Sequence, residues 1–127
     1  MAMRGLKLFV RAIEAGDSEA VREFLTANSD DHAVPACGLL GKLLGRVVAV
    51  MAIDLGEPTG VRIERLIVAS ELRRKQIGRI MMNELEELAA KMERDWLIMD
   101  PSAGLQEFLR HVGFVEAGNR MMRKVQR

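Results

Sequence analysis

The clearest pattern in the chain is the spacing of apolar residues after residue 76. From there, apolar side chains recur every three or four positions, with acidic or basic residues between them, at Ile77, Met81, Leu85, Leu88 and Met92. This spacing places them on one face of a helix of about five turns, at ~3.6 residues per turn. We therefore predict a long amphipathic helix that begins at or next to Ile77.

Two shorter helices are predicted from their end signals. Asp17 is of the residue type that caps helix N-termini, and the apolar positions after it indicate a helix over residues 17–27. A second short helix is expected from Ala103 to His111, because Gly113 follows it as a helix-ending residue. The polar residues 28–35 predict a loop.

Strands are predicted where apolar residues alternate with polar ones or run together. Residues 36–53 are almost all apolar and contain glycines, which favours a hairpin with its turn at Gly41 and Lys42. A turn at Gly118 and Asn119 precedes the last strand. The other strands are expected at Leu6–Val10, Val61–Val68, Trp96–Met99 and Met121–Val125. This order predicts an α/β fold, with helices packed on a mixed sheet.

Composition narrows the class of protein. The chain has 127 residues, 49% of them hydrophobic and 29% charged, which fits one folded domain over residues 1–127. Lys and Arg number 19 against 18 Asp and Glu, so a net charge of +1 gives no overall basic surface for nucleic acid. We also expect no membrane segment, because no apolar run reaches the ~20 residues that a membrane helix needs.

The cysteine and histidine content adds two expectations. The one cysteine, Cys37, cannot form an internal disulfide, and the N-terminus lacks the apolar core of a secretory signal, so we expect a cytoplasmic protein. We expect no metal site, because His32 has no carboxylate or cysteine at a ligand spacing. Apolar surface that the long helix does not bury in the core could serve a homodimer.

Cationic side chains gather where the strand that ends at Val68 leads into the long helix, namely Arg73, Arg74, Lys75 and Arg79. The first turn of a helix offers unpaired backbone N–H groups and the positive end of the dipole, so a phosphate is favoured there. Cations alone would oppose the dipole by some tenths of a kcal/mol each. Gly78 could admit a ligand backbone or simply allow close helix packing. The residues by themselves leave both an anion site and a solvated face open.

The segment IVASELRRKQIGRIMM, residues 67–82, resembles motif A of the GNAT superfamily of N-acetyltransferases. The usual motif is a strand, then Q/R-x-x-G-x-G/A, then a helix. Arg73 takes the first fixed position and Gly78 the last, while Gln76 stands where the middle glycine is usual. We expect Gln76 to adopt an ordinary helical φ. Three further segments are similar to family segments in the same order: VRAIEAGD (10–17), GLLGKLLGRVVAV (38–50) and FLRHVGFVEAG (108–118).

The resemblance implies a GNAT fold, with a mostly antiparallel mixed sheet and helices on both faces, and acetyl-CoA as co-substrate. Backbone N–H groups of motif A would hold the pyrophosphate, and the preceding strand would splay from its neighbour so that the pantetheine arm pairs with its main chain. The positions that this assigns to CoA are Ile67, Val68, Arg73, Arg74, Lys75, Gln76, Ile77, Gly78 and Arg79.

The implied chemistry is direct transfer of acetyl to an amine, for which a base takes the amine proton and an acid protonates the CoA thiolate. Glu64 is the candidate base, because alternation places it on one face with Leu66 and Val68. The alternative is a solvated Glu64 paired with Arg62 or Arg65.

Two further polar residues and one apolar residue bear on catalysis. Asp100 and Ser102 could face the acceptor or simply cap the next helix. The family often has its acid, a tyrosine, at the position of Leu109, and the chain contains no tyrosine. The proton for the CoA thiolate would therefore come from water or from another residue, or the chain lacks a catalytic acid. His111, near a helix end, fits capping or solvent exposure better than catalysis.

The expected function is acetylation of a small-molecule or protein amine. A non-catalytic acyl-CoA-binding or regulatory module is the main alternative. A nucleic-acid-binding helix is the more distant one, because the chain has no basic face beyond this stretch. The acceptor itself cannot be read from the sequence, since the short loop at residues 28–35 replaces a helix that longer members place beside it.

Overall fold

The computed structural model describes residues 7–28, 30, 33–73, 76–100 and 105–126. Within these ranges, seven strands form one sheet in the spatial order β1-β2-β3-β4-β5-β7-β6. The strands are β1 (Phe9–Ala12), β2 (Gly38–Leu43), β3 (Arg46–Asp54), β4 (Gly60–Val68), β5 (Trp96–Met99), β6 (Val115–Ala117) and β7 (Arg120–Lys124). The helices are α1 (Ser18–Ala27), α2 (Ile77–Lys91) and α3 (Gln106–His111).

The sheet is mixed, as predicted. β4 and β5 are parallel, because α2 carries the chain back across the sheet between them, and the other neighbouring strands are antiparallel. The predicted long helix is confirmed, as is the strand Trp96–Met99. In the described part of the chain no helix is long and apolar enough to cross a membrane.

Helices pack on both faces of the sheet. A methyl group built on Gly41 would lie 3.1 Å from the sulfur of Met81, so α2 covers the face that carries Gly41. Leu40 and its partner Val50 point to the opposite face and are completely buried as well. The contacts of α1 with β3 supply the cover on that side. Both helices therefore owe their place to apolar burial against the central strands.

The predicted hairpin turn at Gly41 and Lys42 is wrong. Both residues lie inside β2, at a register shift, and the turn is formed by Leu44 and Gly45. These two residues have φ of 52° and 80°, and a two-residue turn with positive φ at both positions matches the twist of the strands it joins. Gly41 instead gives the Met81 side chain room against the sheet.

Other boundaries shift because strand pairing, not alternation, fixes them. The first strand is Phe9–Ala12 rather than Leu6–Val10, since β1 stays paired with β2 as far as Ala12, and Leu6 lies outside the described residues. The sequence reading missed β6, which pairs with β7 across the predicted turn at Gly118 and Asn119. The described part of α3 begins at Gln106, and Ala103 lies outside it.

Asp17 stands before α1 but makes no side-chain cap to it. Its two carboxylate oxygens each accept a hydrogen bond of 2.7 Å from Arg11, and the N–H of Glu14 donates to one of them at 2.7 Å. The Arg11 hydrogen bond, followed by that from Glu14, holds the pKa of Asp17 well below its ordinary value of 3.8. This ion pair ties the end of β1 to the start of α1.

Asp17→Asn should lower the free energy of unfolding at neutral pH. Because the folded-state pKa is depressed, the stabilisation is complete above the ordinary value of 3.8 and is lost as pH falls below it. The difference between wild type and Asp17→Asn should therefore shrink in acid. Denaturant unfolding from pH 7 to pH 2.5 measures this, with Glu87→Gln, an exposed carboxylate of α2, as the control. A deficit that stays constant across this range would contradict the assignment.

Candidate functional site

A cavity of about 440 Å³ opens where β4 leads into α2. It is lined by residues of the β4–α2 connection, the first turn of α2 and the last turn of α3: Val68, Leu72, Arg73, Gln76, Ile77, Gly78, Arg79, Phe108, His111 and Val112. Six of the nine residues assigned to CoA line it, Val68 among them, and Ile67 does not. Arg74 and Lys75 lie outside the described residues. The cavity thus gathers most of the predicted cradle in one place.

The prediction of an ordinary helical φ for Gln76 is wrong. Gln76 precedes α2 with φ 64° and ψ 15°, in the left-handed region that glycine favours. A non-glycine residue in this conformation is destabilised by ~1–2 kcal/mol. The position therefore keeps the backbone shape expected of a glycine although glutamine occupies it.

No side chain that the structure describes caps the N-terminus of α2. Gln76 makes no side-chain cap, and the first turn contains no acidic residue. The first N–H to reach an acceptor of the same helix is that of Ile80, which donates to the carbonyl of Gln76 at 3.1 Å. The N–H groups of Ile77, Gly78 and Arg79 precede it and have no acceptor four residues back in the helix. They are donors for an anion at this end of the cavity.

Gly78 also serves packing, the alternative that the sequence left open. A methyl group built on it would lie 2.9 Å from Cζ of Phe108 and 3.7 Å from a methyl carbon of Leu66. The lack of a side chain lets α3 approach α2 so closely that the Phe108 ring becomes part of the cavity wall. Packing therefore requires glycine at this position, which also lines the cavity.

Two cationic side chains described in the structure line the cavity. Arg79 is half-buried, and Arg73 is exposed, with its Nε donating to the carbonyl of Val68 at 3.4 Å. Neither forms an ion pair within the part of the chain that the structure describes. Their positive charge adds to that of the helix end, so this region is electropositive without an internal partner.

β4 extends beyond the end of β5 beside the cavity. Their parallel pairing runs from Gly60 and Trp96 to Ile63 and Met99, whereas β4 continues to Val68. On its other edge β4 stays paired, with Ile67 opposite Val50 and Val68 opposite Ala49. Within the described residues, the β5-facing edge of β4 beyond Ile63 thus has no strand partner. β5 itself ends at Met99, so the predicted splay between the two strands stays a prediction.

Glu64 lies just past the end of the β4–β5 pairing. The register between β3 and β4 shifts there, with Ile53 opposite Ile63 and Ala52 opposite Arg65, so Glu64 is the extra residue. Alternation therefore does not assign it to the face of Leu66, as the sequence reading assumed. Its side chain is exposed and forms no hydrogen bond or ion pair with any described residue.

Both arginines beside Glu64 are engaged elsewhere, so the alternative that pairs Glu64 with one of them is wrong. Arg62 donates to Asp100 at 2.7 Å, and that hydrogen bond is the main reason that the pKa of the Arg62 guanidinium is raised. Arg65 donates to Asp30 at 2.8 Å and to the carbonyl of Ala33 at 3.2 Å. Glu64 is left as a free carboxylate just past the end of the β4–β5 pairing.

The carboxylate of Asp100 contacts two arginines. It binds Arg62 and lies 3.9 Å from Nε of Arg120, so it bridges β4 and β7. Ser102, the other candidate, lies outside the described residues. No group of three or more His, Cys, Asp or Glu side chains suited to a metal ion occurs in the described ranges.

The residues of α3 divide between core and cavity. Leu109, at the family's usual tyrosine position, is completely buried in the core and does not line the cavity. Phe108 and the exposed His111 do line it. The sequence reading missed the role of Phe108, although its FLRHVGF segment contained the signal, and it assigned Leu72 no role.

Comparisons with known proteins agree with the fold described above. The sequence model of the Acetyltransferase (GNAT) family matches residues 7–114. Among curated proteins, no sequence matches the chain significantly.

Solved structures resemble nearly the whole chain. Ard1 from Thermoplasma volcanium has 17% identity and a TM-score of 0.77 over 94% of this chain and 99% of that one. The ribosomal-protein-S18-alanine N-acetyltransferase from Escherichia coli has 12% identity and a TM-score of 0.74, over 95% and 96%. N-acetylglutamate synthase from Neisseria gonorrhoeae, solved with coenzyme A and N-acetyl-glutamate, has 14% identity and a TM-score of 0.79, over 95% of this chain but 36% of that one. At these identities the likeness shows the fold alone.

Gln76→Gly should raise the free energy of unfolding by up to about 1 kcal/mol, because glycine adopts a positive φ without the steric cost that glutamine pays there. Glu84→Gly, at an exposed position inside α2, is the control and should lose about 1 kcal/mol. Urea denaturation of the three proteins gives both values. If Gln76→Gly loses as much stability as Glu84→Gly, the left-handed assignment is wrong.

Proposed function

Since the chain belongs to the acetyltransferase (GNAT) family, we propose that it is an acetyl-CoA-dependent N-acetyltransferase, which acetylates an amine of a small molecule or a protein by direct transfer. The observation that carries the proposal is the electropositive cavity at the uncapped start of α2, beside the part of β4 that extends past β5. Acetyl-CoA, when bound, supplies the acetyl group as a thioester.

The cradle suits a pyrophosphate. The N–H groups of Ile77, Gly78 and Arg79 would donate to its oxygens, and the guanidinium groups of Arg73 and Arg79 would balance its charge. The left-handed Gln76 turns the chain so that these donors come first in the helix. We assign Arg74 and Lys75 to the same cradle from the sequence motif.

The unpaired edge of β4 suits the pantetheine arm. Amide groups of an extended ligand can pair with free main-chain donors and acceptors as an added strand does. Ile67 and Val68 lie on this edge, and Val68 also lines the cavity. A ligand held here would run from the start of α2 toward Glu64, which connects the binding region with the candidate base.

Glu64 is the residue that we assign to base catalysis. A free carboxylate can accept the proton of an acceptor ammonium group, whereas one already bound to arginine is a weaker base. Glu64 is exposed and unpaired among the described residues, so it is open to an acceptor.

The proton for the leaving thiolate has no assigned donor. The sequence contains no tyrosine, and Leu109 is buried. Water or another residue must supply this proton if the protein is an enzyme. The same observation favours the second candidate function, a non-catalytic acyl-CoA-binding or regulatory module.

The acceptor class stays broad in this proposal. The similar structures include an enzyme named for an alanine of a ribosomal protein and one solved with N-acetyl-glutamate, so the fold serves both protein and small-molecule amines. We expect the reaction to take place in the cytoplasm, and a homodimer is compatible with it.

Two substitutions should separate binding from catalysis. Arg79→Glu should weaken CoA binding at least about tenfold, because it places an anion beside the pyrophosphate. Glu64→Gln should leave CoA affinity unchanged and abolish acetyl transfer. Calorimetry with CoA gives the affinities, and a free-thiol assay with acetyl-CoA and a panel of amines and peptides gives turnover.

Arg22→Glu, which reverses an exposed charge on α1, is the control and should match wild type in both assays. Wild-type protein that does not bind CoA would refute the whole proposal. Tight CoA binding without turnover on any amine would leave the non-catalytic module as the function.

A further inference from the structure

Glu64 is flanked on β4 by two arginines that would ordinarily pair with it. Arg62 precedes it by two residues and Arg65 follows it directly. Asp100 is the main cause of the raised pKa of Arg62, and the charges of Glu64 and Asp54 add to it, so Glu64 is within electrostatic range of that guanidinium. The hydrogen bond of Arg62 nevertheless goes to Asp100, at 2.7 Å.

We propose that Asp100 is a positioning residue which, by holding Arg62 away from Glu64, keeps the Glu64 carboxylate free to accept the proton of the acceptor. This inference rests on the proposed function, in which Glu64 is the base. It assigns Asp100 a role different from substrate contact or helix capping, since Asp100 acts through Arg62.

Arg62 lies near the end of the β4–β5 pairing, where it is opposite Ile98, and Asp100 lies just beyond it. Arg62 therefore bridges the two strands near the end of their pairing. Glu64 lies past the end of this pairing, where β4 no longer has a strand partner on that side among the described residues.

The surrounding charges hold this arrangement in place. The Asp100 carboxylate also lies 3.9 Å from Nε of Arg120, so it contacts one arginine of β4 and one of β7. Arg120 is in turn paired with Glu57. On the other side of Glu64, Asp30 occupies Arg65. Both neighbouring cations of Glu64 are thus matched by other carboxylates, with Asp54 as the further acidic side chain near Arg62.

The physical consequence concerns proton affinity. A carboxylate that gains an arginine partner binds its proton less tightly and becomes a poorer base, although solvent screening keeps the effect small at an exposed position. Without the charge of Asp100, the acidic side chains within electrostatic range of Arg62 would be Glu64 on β4 and Asp54, which lies opposite Arg62 on β3. Asp100 would therefore preserve the proton affinity of Glu64 and would not itself take part in the reaction.

The test uses Asp100→Asn, which keeps the shape of the side chain and removes its charge. The carboxyl-carbon NMR resonance of Glu64, followed across pH in the apo protein, reports its titration directly and needs no acceptor. The titration midpoint of Glu64 should be lower in Asp100→Asn than in wild type by roughly half a pH unit, as expected for an exposed ion pair. In the double variant Asp100→Asn with Arg62→Gln, it should return to the wild-type position, because the competing arginine is gone.

Glu116→Gln is the matched control, since it breaks the exposed ion pair between Glu116 and Arg110 far along the chain from Glu64. It should leave the Glu64 midpoint unchanged. If Asp100→Asn does not fold, Asp100→Glu replaces it: a carboxylate that still reaches Arg62 should keep the wild-type midpoint, and a lowered midpoint there would overturn the proposal.

Equal midpoints in wild type and Asp100→Asn would overturn the inference, as would a lowered midpoint that Arg62→Gln does not restore. The proposed function fails separately, through wild-type protein that does not bind CoA or through full turnover by Glu64→Gln. In an active enzyme, the acidic limb of the pH–rate profile of Asp100→Asn should move in the same direction as the midpoint, while CoA affinity stays at the wild-type value.

Discussion

The parallel pairing of β4 with β5 stops at Ile63 and Met99, and both halves of the site depend on where it stops. Beyond that point, β4 has an open edge on the side of the cavity while its other edge remains paired with β3. Unpaired main-chain groups are stable only where water or a ligand can reach them. The opening therefore provides a place for an extended ligand, and it leaves Glu64, the extra residue at the register shift, exposed beside it.

The start of α2 completes the arrangement at the other end of that edge. A left-handed Gln76 ends the connection from β4, and the first turn of the helix offers its N–H groups without a cap. Gly78 lets Phe108 form one wall, so α3 shapes the cavity from across the site. At this end of the site a glutamine adopts a strained left-handed conformation, and the arginine charges oppose the helix dipole. A bound anion would account for both unfavourable features.

The apolar pattern predicted α2 and β5 well, because each element has a regular set of apolar residues that the fold buries. The hairpin turn was misplaced because a glycine was taken for a turn residue, whereas Gly41 gives room to Met81. The φ of Gln76 could not be predicted, since glutamine carries no signal for a left-handed position. It could not be predicted either that Glu64 has no ion-pair partner among the described residues. Asp100, which takes up Arg62, lies far along the chain, just after β5, and only the fold brings the two together.

The central claim, that CoA binds through the main chain at the start of α2 and the open edge of β4, is tested most directly by NMR. Titrating CoA into uniformly ¹⁵N-labelled protein reports each backbone amide separately. We predict the largest shifts at Ile77, Gly78 and Arg79, smaller ones at Ile67 and Val68, and none along α1. A separate cavity lies between α1 and the β2–β3 turn and is lined by Phe24, Lys42 and Val47 among others. Shifts centred on that cavity, or no shifts at millimolar CoA, would contradict the account.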